Sequence, residues 1–238
     1  MVYGHFLKYR RNIHSQTGED GVIAELLKRL GISSGWCCEF GAWDGKHLSN
    51  TYALIEQGWR GVFIEGDRAK ASELEKTAAE HGGRLIPICA FVEPAPGPTS
   101  LDSLLSGTPI PQEFDLLSID VDSCDYQIWK GLTNYRPKIV VIEIDSKYEA
   151  GVEAIYTAEG MPRTTSFLSM LKLGQSKGYT LVCHTINMFF VRNDLMDKVG
   201  LPERDRLHPK RLFIYSQIAP STPGQWMRKI WCKLITRY

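Results

Sequence analysis

Apolar residues along this chain follow two rhythms. Val22, Ile23, Leu26, Leu27 and Leu30 recur at helical spacing, and Gly31 ends the run. Thr17 with Asp20 three residues on resembles a capping box and predicts the start of that helix. The second rhythm is short and continuous. Trp36–Phe40 (WCCEF), 61–65 (GVFIE), 84–90 (RLIPICA), 114–121 (FDLLSIDV) and 138–144 (KIVVIEI) are apolar, β-rich runs that predict strands. Between them, Ser49 and Gly58 bracket one helix, and Asp67 and Gly82-Gly83 a second. Residues 101–105 predict a helical turn, 123–132 a helix, and Ser166 to Lys177 another, stopped by Gly178.

Strands alternating with helices predict a parallel sheet joined by crossovers, and strands covered on both faces are apolar without alternation. The ending differs. TLVCHT (180–185) and MFFVR (188–192) have only Ile186-Asn187 between them. That gap is too short for a helical crossover, so the pair is expected to form an antiparallel hairpin. The connection over 145–163 is long enough for a lid or binding loop.

Composition narrows the class. With 238 residues, 43% hydrophobic and 23% charged, the chain suits one α/β domain with additions. A net charge of +1 supplies no global field toward nucleic acid. The start, MVYGHFLKYRRN, lacks the apolar core of a signal peptide, and no apolar run approaches a membrane span. The six cysteines show no CxxC or metal spacing and are expected as reduced thiols in a cytoplasmic protein.

The chemistry gathers where strands end. The first strand runs into Glu39-x-Gly41-x-x-x-Gly45, a carboxylate followed by a glycine turn. This is not GxGxxG; it suits a ligand carrying an adenosine and a charged amine, with the glycines clearing its approach. Glu65 ends the second strand, where doubly wound folds hold a ribose diol. Asp67 is expected to cap the next helix, and Ala90-Phe91 to lie beside an adenine. The fourth strand ends in Asp120 and Asp122, with Asp125 beyond, and the fifth in Glu143 and Asp145. Crowded carboxylates raise one another's pKa or bind a cation, which supplies a general base or a Mg2+ site. Asp122, Asp125 and Glu143 are the candidate bases, with His184 at the tip of the hairpin strand as another. Asp120, Glu143 and Asp145 are the candidate metal ligands. Plain strand-end acids capping the following helices are the structural alternative, fitting Asp122 best.

The tail departs from the rest. In PGQWMRKIWCKLITRY, Trp226, Met227, Ile230, Trp231, Leu234 and Ile235 share one helical face, with basic residues elsewhere. A basic amphipathic helix over 220–238 is expected, with residues 226–237 touching a membrane surface or a protein surface. The main domain is then 1–219.

SQTGEDGVIAELLKRLGI, CCEFGAWDGKHLSNTYALIEQGWRGVFIEGD, FDLLSIDVDSCDYQIWKGL, PKIVVIEI and NMFFVRNDL together resemble the FkbM-like S-adenosylmethionine-dependent methyltransferases over about 15–195. The resemblance implies a class I methyltransferase fold: a three-layer, Rossmann-like seven-stranded sheet in order 3-2-1-4-5-7-6, its last strand antiparallel. It implies that Glu39, Gly41 and Gly45 hold the methionine part of the cofactor, Glu65 the ribose and Ala90 the adenine, with Asp120 closing the pocket. It implies O-methyl transfer to a hydroxyl of a glycan, glycolipid or related small molecule, with Mg2+ in some relatives at the ends of strands four and five. Where relatives commonly have Asp-Val-Glu-Gly, this chain has Asp120-Val121-Asp122-Ser123. That change and the basic tail motivate an alternative, a weakly catalytic binding module recruited to the inner face of a membrane. A nicotinamide-dependent dehydrogenase is disfavoured by the missing GxGxxG and the hairpin ending.

Overall fold

Continuous runs of Ile, Val, Leu and Phe form strands when helices cover both of their faces. In the computed structural model, which describes residues 4–121, 123–155 and 165–214, they do so seven times. The strands are β1 (Trp36–Phe40), β2 (Arg60–Glu65), β3 (Leu85–Cys89), β4 (Leu116–Ile119), β5 (Ile139–Glu143), β6 (Tyr179–His184) and β7 (Asn187–Arg192). They form one sheet in the order β3-β2-β1-β4-β5-β7-β6. The five strands from β3 to β5 pair in parallel, whereas β7 runs antiparallel to both β5 and β6. The expected hairpin is therefore present, and the chain reverses its direction of winding between β1 and β4. This is the strand order and antiparallel last strand that the sequence resemblance implies.

Alternation sorts the side chains into two cores. Cys37, Phe63, Leu85, Leu116, Val141 and Phe189 face α1 (Glu19–Leu30), α2 (Tyr52–Glu56) and α3 (Arg68–Ala79). Cys38, Val62, Leu117, Val140 and Phe190 face α4 (Leu101–Ser106), α5 (Asp125–Gly131) and α6 (Phe167–Ser176). Trp129 of α5 is fully buried against Tyr179 and Phe190, with ring centroids 5.7 and 5.0 Å away. Burying a side chain of that size is worth roughly 1.5–3 kcal/mol or more. Two short helices, α7 (Met196–Val199) and α8 (Glu203–Leu207), follow the sheet; no sequence signal predicted them.

Local signals hold with one exception. Asp67 caps α3, its Oδ1 accepting from Ala69 N and Lys70 N at 2.8 and 3.2 Å, and Ser166 caps α6 through Ser169 N. The capping box at Thr17 does not form. Gly18 is the N-cap at φ +102°, and Asp20 turns back instead to accept from the backbone of Ile13, His14 and Ser15. Among the described residues no helix is long and apolar enough to cross a membrane, and the five described cysteines are thiols outside any disulfide. The tail helix expected over 220–238 lies outside the described residues, as does Asp122.

Candidate functional site

Strand parity places the predicted acids in one row. Glu39 shares its face with Cys37, Glu65 with Phe63, Asp120 with Leu116, and Glu143 with Val141, all on the α1 side of the sheet. Ser118 of β4 is level with Glu39 on β1 and with Val141 on β5. The row therefore crosses the point where the winding reverses, at the carboxyl ends of the strands, where open α/β sheets take their ligands.

Glu39 does not face a ligand as expected. It is buried, and its Oε2 accepts from Ser49 Oγ at 2.9 Å, Thr51 N at 3.0 Å and Thr51 Oγ1 at 2.5 Å. Asn50 N donates to Oε1 at 3.4 Å, and Asn50 Nδ2 crosses to Ser118 Oγ at 3.1 Å. The carboxylate thus clamps the start of α2 onto β1. Burial pushes its pKa up to about 7, against the pull of the Thr51 and Ser49 hydroxyls.

The glycines also differ from expectation. Gly41 sits at φ +76°, and a Cβ there would lie 2.0 Å from the Asp120 carbonyl oxygen. Its missing side chain lets β1 and β4 converge. Gly45, at φ +82°, faces Leu74 of α3, which a Cβ would meet at 2.7 Å. Both absences admit protein atoms. The backbone here is strained: Trp43, between the two glycines, and Leu48, just past the second, hold φ +51° and +57°, a conformation that residues other than glycine rarely take. Asp44, unassigned by sequence, closes this turn by accepting from Lys46 N and His47 N at 2.9 and 2.7 Å.

Glu65 stands where a ligand carboxylate was expected. It is buried at the end of β2, with Oε2 accepting from Trp43 N at 2.8 Å and Oε1 from Asp67 N at 2.9 Å. One oxygen holds each flanking turn, and a carboxylate offers about four acceptor positions, so each oxygen has capacity for another donor. Beside it, Gly66–Ala69 and Cys89–Phe91 line an open cleft of about 520 Å³. The Phe91 ring packs against Gly66, 2.1 Å from where a Cβ would be. Ala90 is tied to the same place, its N donating to Glu65 O at 3.0 Å.

Two expected bases prove structural. Asp125 is buried and folds back over its own helix start, accepting from Val121 N at 2.9 Å and Ser123 N at 3.0 Å. His184 is fully buried, stacked on Phe213 at 5.4 Å and edge-on to Phe167. Its Nδ1 accepts from Ile214 N at 2.9 Å, which leaves Nε2 as the donor to Ser146 Oγ at 3.1 Å. Burial pushes its pKa down to about 3, so it is a neutral packing residue and not a base.

The Mg2+ expectation finds no seat: among the described residues no three His, Cys, Asp or Glu side chains gather to hold an ion. Asp145 holds its own turn, accepting from Lys147 N at 3.0 Å. Of the predicted ligands, Asp120 and Glu143 remain at the rim.

At the far end of the row stands Asn187, to which the sequence assigns no role. Glu19, fully buried at the start of α1, accepts from Thr185 Oγ1 at 2.6 Å and Asn187 Nδ2 at 3.4 Å, and also from Thr17. It ties the first helix to the β6–β7 hairpin across 166 residues of chain. The only available signal was a polar Thr-Ile-Asn interrupting two apolar strands.

No family model matches the chain, and neither does any curated protein. Among solved structures, the chain is similar to an S-adenosylmethionine-dependent methyltransferase from Aquifex aeolicus, at 11% identity and a TM-score of 0.45, over 71% of this chain and 88% of that one. It is similar to magnesium protoporphyrin IX methyltransferase from Synechocystis PCC 6803, at 12% identity and 0.44, over 73% and 77%. A Clostridium acetobutylicum S-adenosylmethionine-dependent methyltransferase is similar at 11% and 0.44, over 73% and 90%. Likeness at this level carries no argument about substrate.

Proposed function

We propose that this chain is an S-adenosylmethionine-dependent O-methyltransferase acting on a hydroxyl of a glycan, glycolipid or related small molecule. The observation that carries the reading is Glu65. A buried carboxylate ends β2, is aimed by two backbone donors, keeps acceptor capacity, and adjoins a cleft at the carboxyl edge of a 3-2-1-4-5-7-6 sheet. Vicinal ribose hydroxyls are the donors that such a carboxylate takes. The cleft against Gly66 and Ala90 suits a flat base, so the residues fit the cofactor.

When bound, S-adenosylmethionine supplies a methyl group already activated by its sulfonium. The protein has to align an acceptor oxygen with that methyl and assist loss of the hydroxyl proton. Glu65 would hold the ribose, and the turn from Gly41 to Gly45 would border the methionine end. Asp120 or Glu143, at the carboxyl ends of β4 and β5, would take the proton; His184, neutral and fully buried, would not. Acidic surroundings favour a cationic ligand: Glu19, Asp20, Glu39 and Glu65 accept only from neutral donors among the described residues.

Calorimetry with S-adenosylmethionine tests the reading. Micromolar binding is expected for the purified chain, with at least a tenfold loss in Glu65→Ala, a variant expected to fold but to melt lower because Trp43 N and Asp67 N lose their acceptor. Failure of the wild type to bind sinks it.

A further inference from the structure

We propose that the side-chain amide of Asn187, together with Glu143, forms the subsite that seats the hydroxyl-bearing acceptor. The proposal rests on the methyl-transfer reading and says where the second substrate binds. Asn187 opens β7 directly opposite Glu143 at the end of β5. Opposed residues of an antiparallel pair project to one face with Cβ atoms about 4.5–5.5 Å apart. Both lie on the α1 face, since Val141 and Phe189, two residues away on each strand, pack in that core.

The register gives the subsite its place. Ser118 pairs with Val141, so two residues further on Asp120 is level with Glu143. Strands lie about 4.8 Å apart, which sets Asn187 roughly 10 Å from Asp120 on one side and Glu65 roughly 10 Å from it on the other. A cofactor anchored at Glu65 and reaching toward Asp120 would bring its far end to the Glu143–Asn187 side.

Asn187 is held on one side only. Its Nδ2 donates to Glu19 Oε1 at 3.4 Å, and its backbone N donates to Thr185 Oγ1 at 3.2 Å. Thr185 Oγ1 in turn donates to the same Glu19 oxygen at 2.6 Å. A carboxylate only accepts, so this contact fixes which end of the amide is nitrogen. The Oδ1 end is left over. Asn187 is 3% exposed, and Oδ1 has no hydrogen-bond partner among the described residues. A buried carbonyl oxygen without a donor is costly, and a site so built rejects ligands that bring none.

Asn187 Oδ1 and the Glu143 carboxylate are both acceptors, on neighbouring strands. Asn187 Oδ1 is the one that lacks a donor among the described residues, and a sugar-ring hydroxyl would supply it, with the adjacent hydroxyl of the ring on the Glu143 side. Glu19 and Thr185 are positioning residues for the amide.

The experiment is saturation-transfer NMR on a set of methyl glycosides, with protein loaded with S-adenosylhomocysteine, for wild type, Asn187→Ala and Glu143→Gln. Melting curves and S-adenosylhomocysteine calorimetry run in parallel. Wild type is expected to transfer saturation to at least one glycoside, and each variant to weaken it about tenfold while binding S-adenosylhomocysteine within twofold of wild type. If Asn187→Ala does not fold, Glu143→Gln and Asn187→Ser carry the test. Unchanged glycoside binding in the folded variants, or no saturation transfer from wild type, overturns the subsite while cofactor-product binding leaves the methyl-transfer reading standing. Absence of S-adenosylhomocysteine binding by wild type overturns both.

Discussion

The two ends of the sheet treat charge in opposite ways. At the amino end, acids meet cations: Asp115 pairs with Lys138 at 2.7 Å, and Arg192 joins Asp194 at 2.7 Å and Glu113 at 3.1 Å. At the carboxyl end, Glu19, Asp20, Glu39 and Glu65 are all buried, and their donors among the described residues are hydroxyls, side-chain amides and backbone N–H groups. A buried acid with a cation is complete within the protein. A buried acid held only by neutral donors has no cation of its own among the described residues, and an edge of such acids suits a donor-rich ligand. The same residue type therefore fastens one end and equips the other.

The largest effect should come from breaking the junction between the two halves of the winding. Gly41→Ala places a methyl 2.0 Å from the Asp120 carbonyl oxygen at φ +76°. Either backbone moves, so the variant should lose more than about 4 kcal/mol in urea denaturation or fail to fold. A loss under about 1 kcal/mol would show that β1 and β4 do not need to converge there.

The next effect is in pH. Glu39 has its pKa raised from 4.5 to about 7, so the folded state prefers the protonated form. Its contribution is fully present below pH 4.5 and is lost as pH rises toward 7, on the order of 3 kcal/mol. His184 has its pKa lowered from 6.5 to about 3, so folding prefers the neutral ring. Its contribution is present above pH 6.5 and is lost as pH falls toward 3, on the order of 4 kcal/mol. Between pH 4.5 and 6.5 the two slopes oppose each other. Glu39→Gln should expose the histidine slope, with stability falling on acidification. His184→Gln should expose the opposite slope, with stability falling as pH rises. Denaturation series across pH 4–8 check both, and parallel curves for the two variants would refute the assignment.

Lys138→Met probes the amino end. It leaves the Asp115 carboxylate with only the Trp36 N–H at 2.8 Å, and should cost about 1–3 kcal/mol in denaturation. Affinity for S-adenosylhomocysteine should stay within twofold of wild type. A larger change would mean that the two ends are not separate in function.

The layout of the fold was legible because its signals are local and redundant. Apolar runs such as KIVVIEI and the two-residue gap before MFFVR leave little choice of strand or hairpin. Asp67 was legible as a cap because its partners are two and three residues away. The roles of the site acids were not legible, because the partner of a carboxylate is chosen by tertiary contact. Glu39 and Glu65 end adjacent strands on the same face, yet one clamps ten to twelve residues ahead and the other bridges two turns. His184 at a strand tip reads as a candidate base, but Phe213 stacks on its ring and Ile214 N bonds its Nδ1. The contact between Glu19 and Asn187 was not legible, since it spans 168 residues.

The smallest effect separates a cap from a ligand contact within the cleft itself. Asp67 caps α3 with its side chain and orients Glu65 with its backbone N–H, 2.9 Å from Oε1. Asp67→Ala removes the first function and keeps the second. The helix should lose about 1 kcal/mol, seen as a modest fall in the denaturation midpoint. Because the backbone donor survives, Glu65 should stay in place and S-adenosylhomocysteine should bind within about threefold of wild type, a difference of under 1 kcal/mol. A tenfold loss without further loss of stability would instead place the Asp67 carboxylate on the ligand. The acids that equip the carboxyl edge would then include one held only by its own helix.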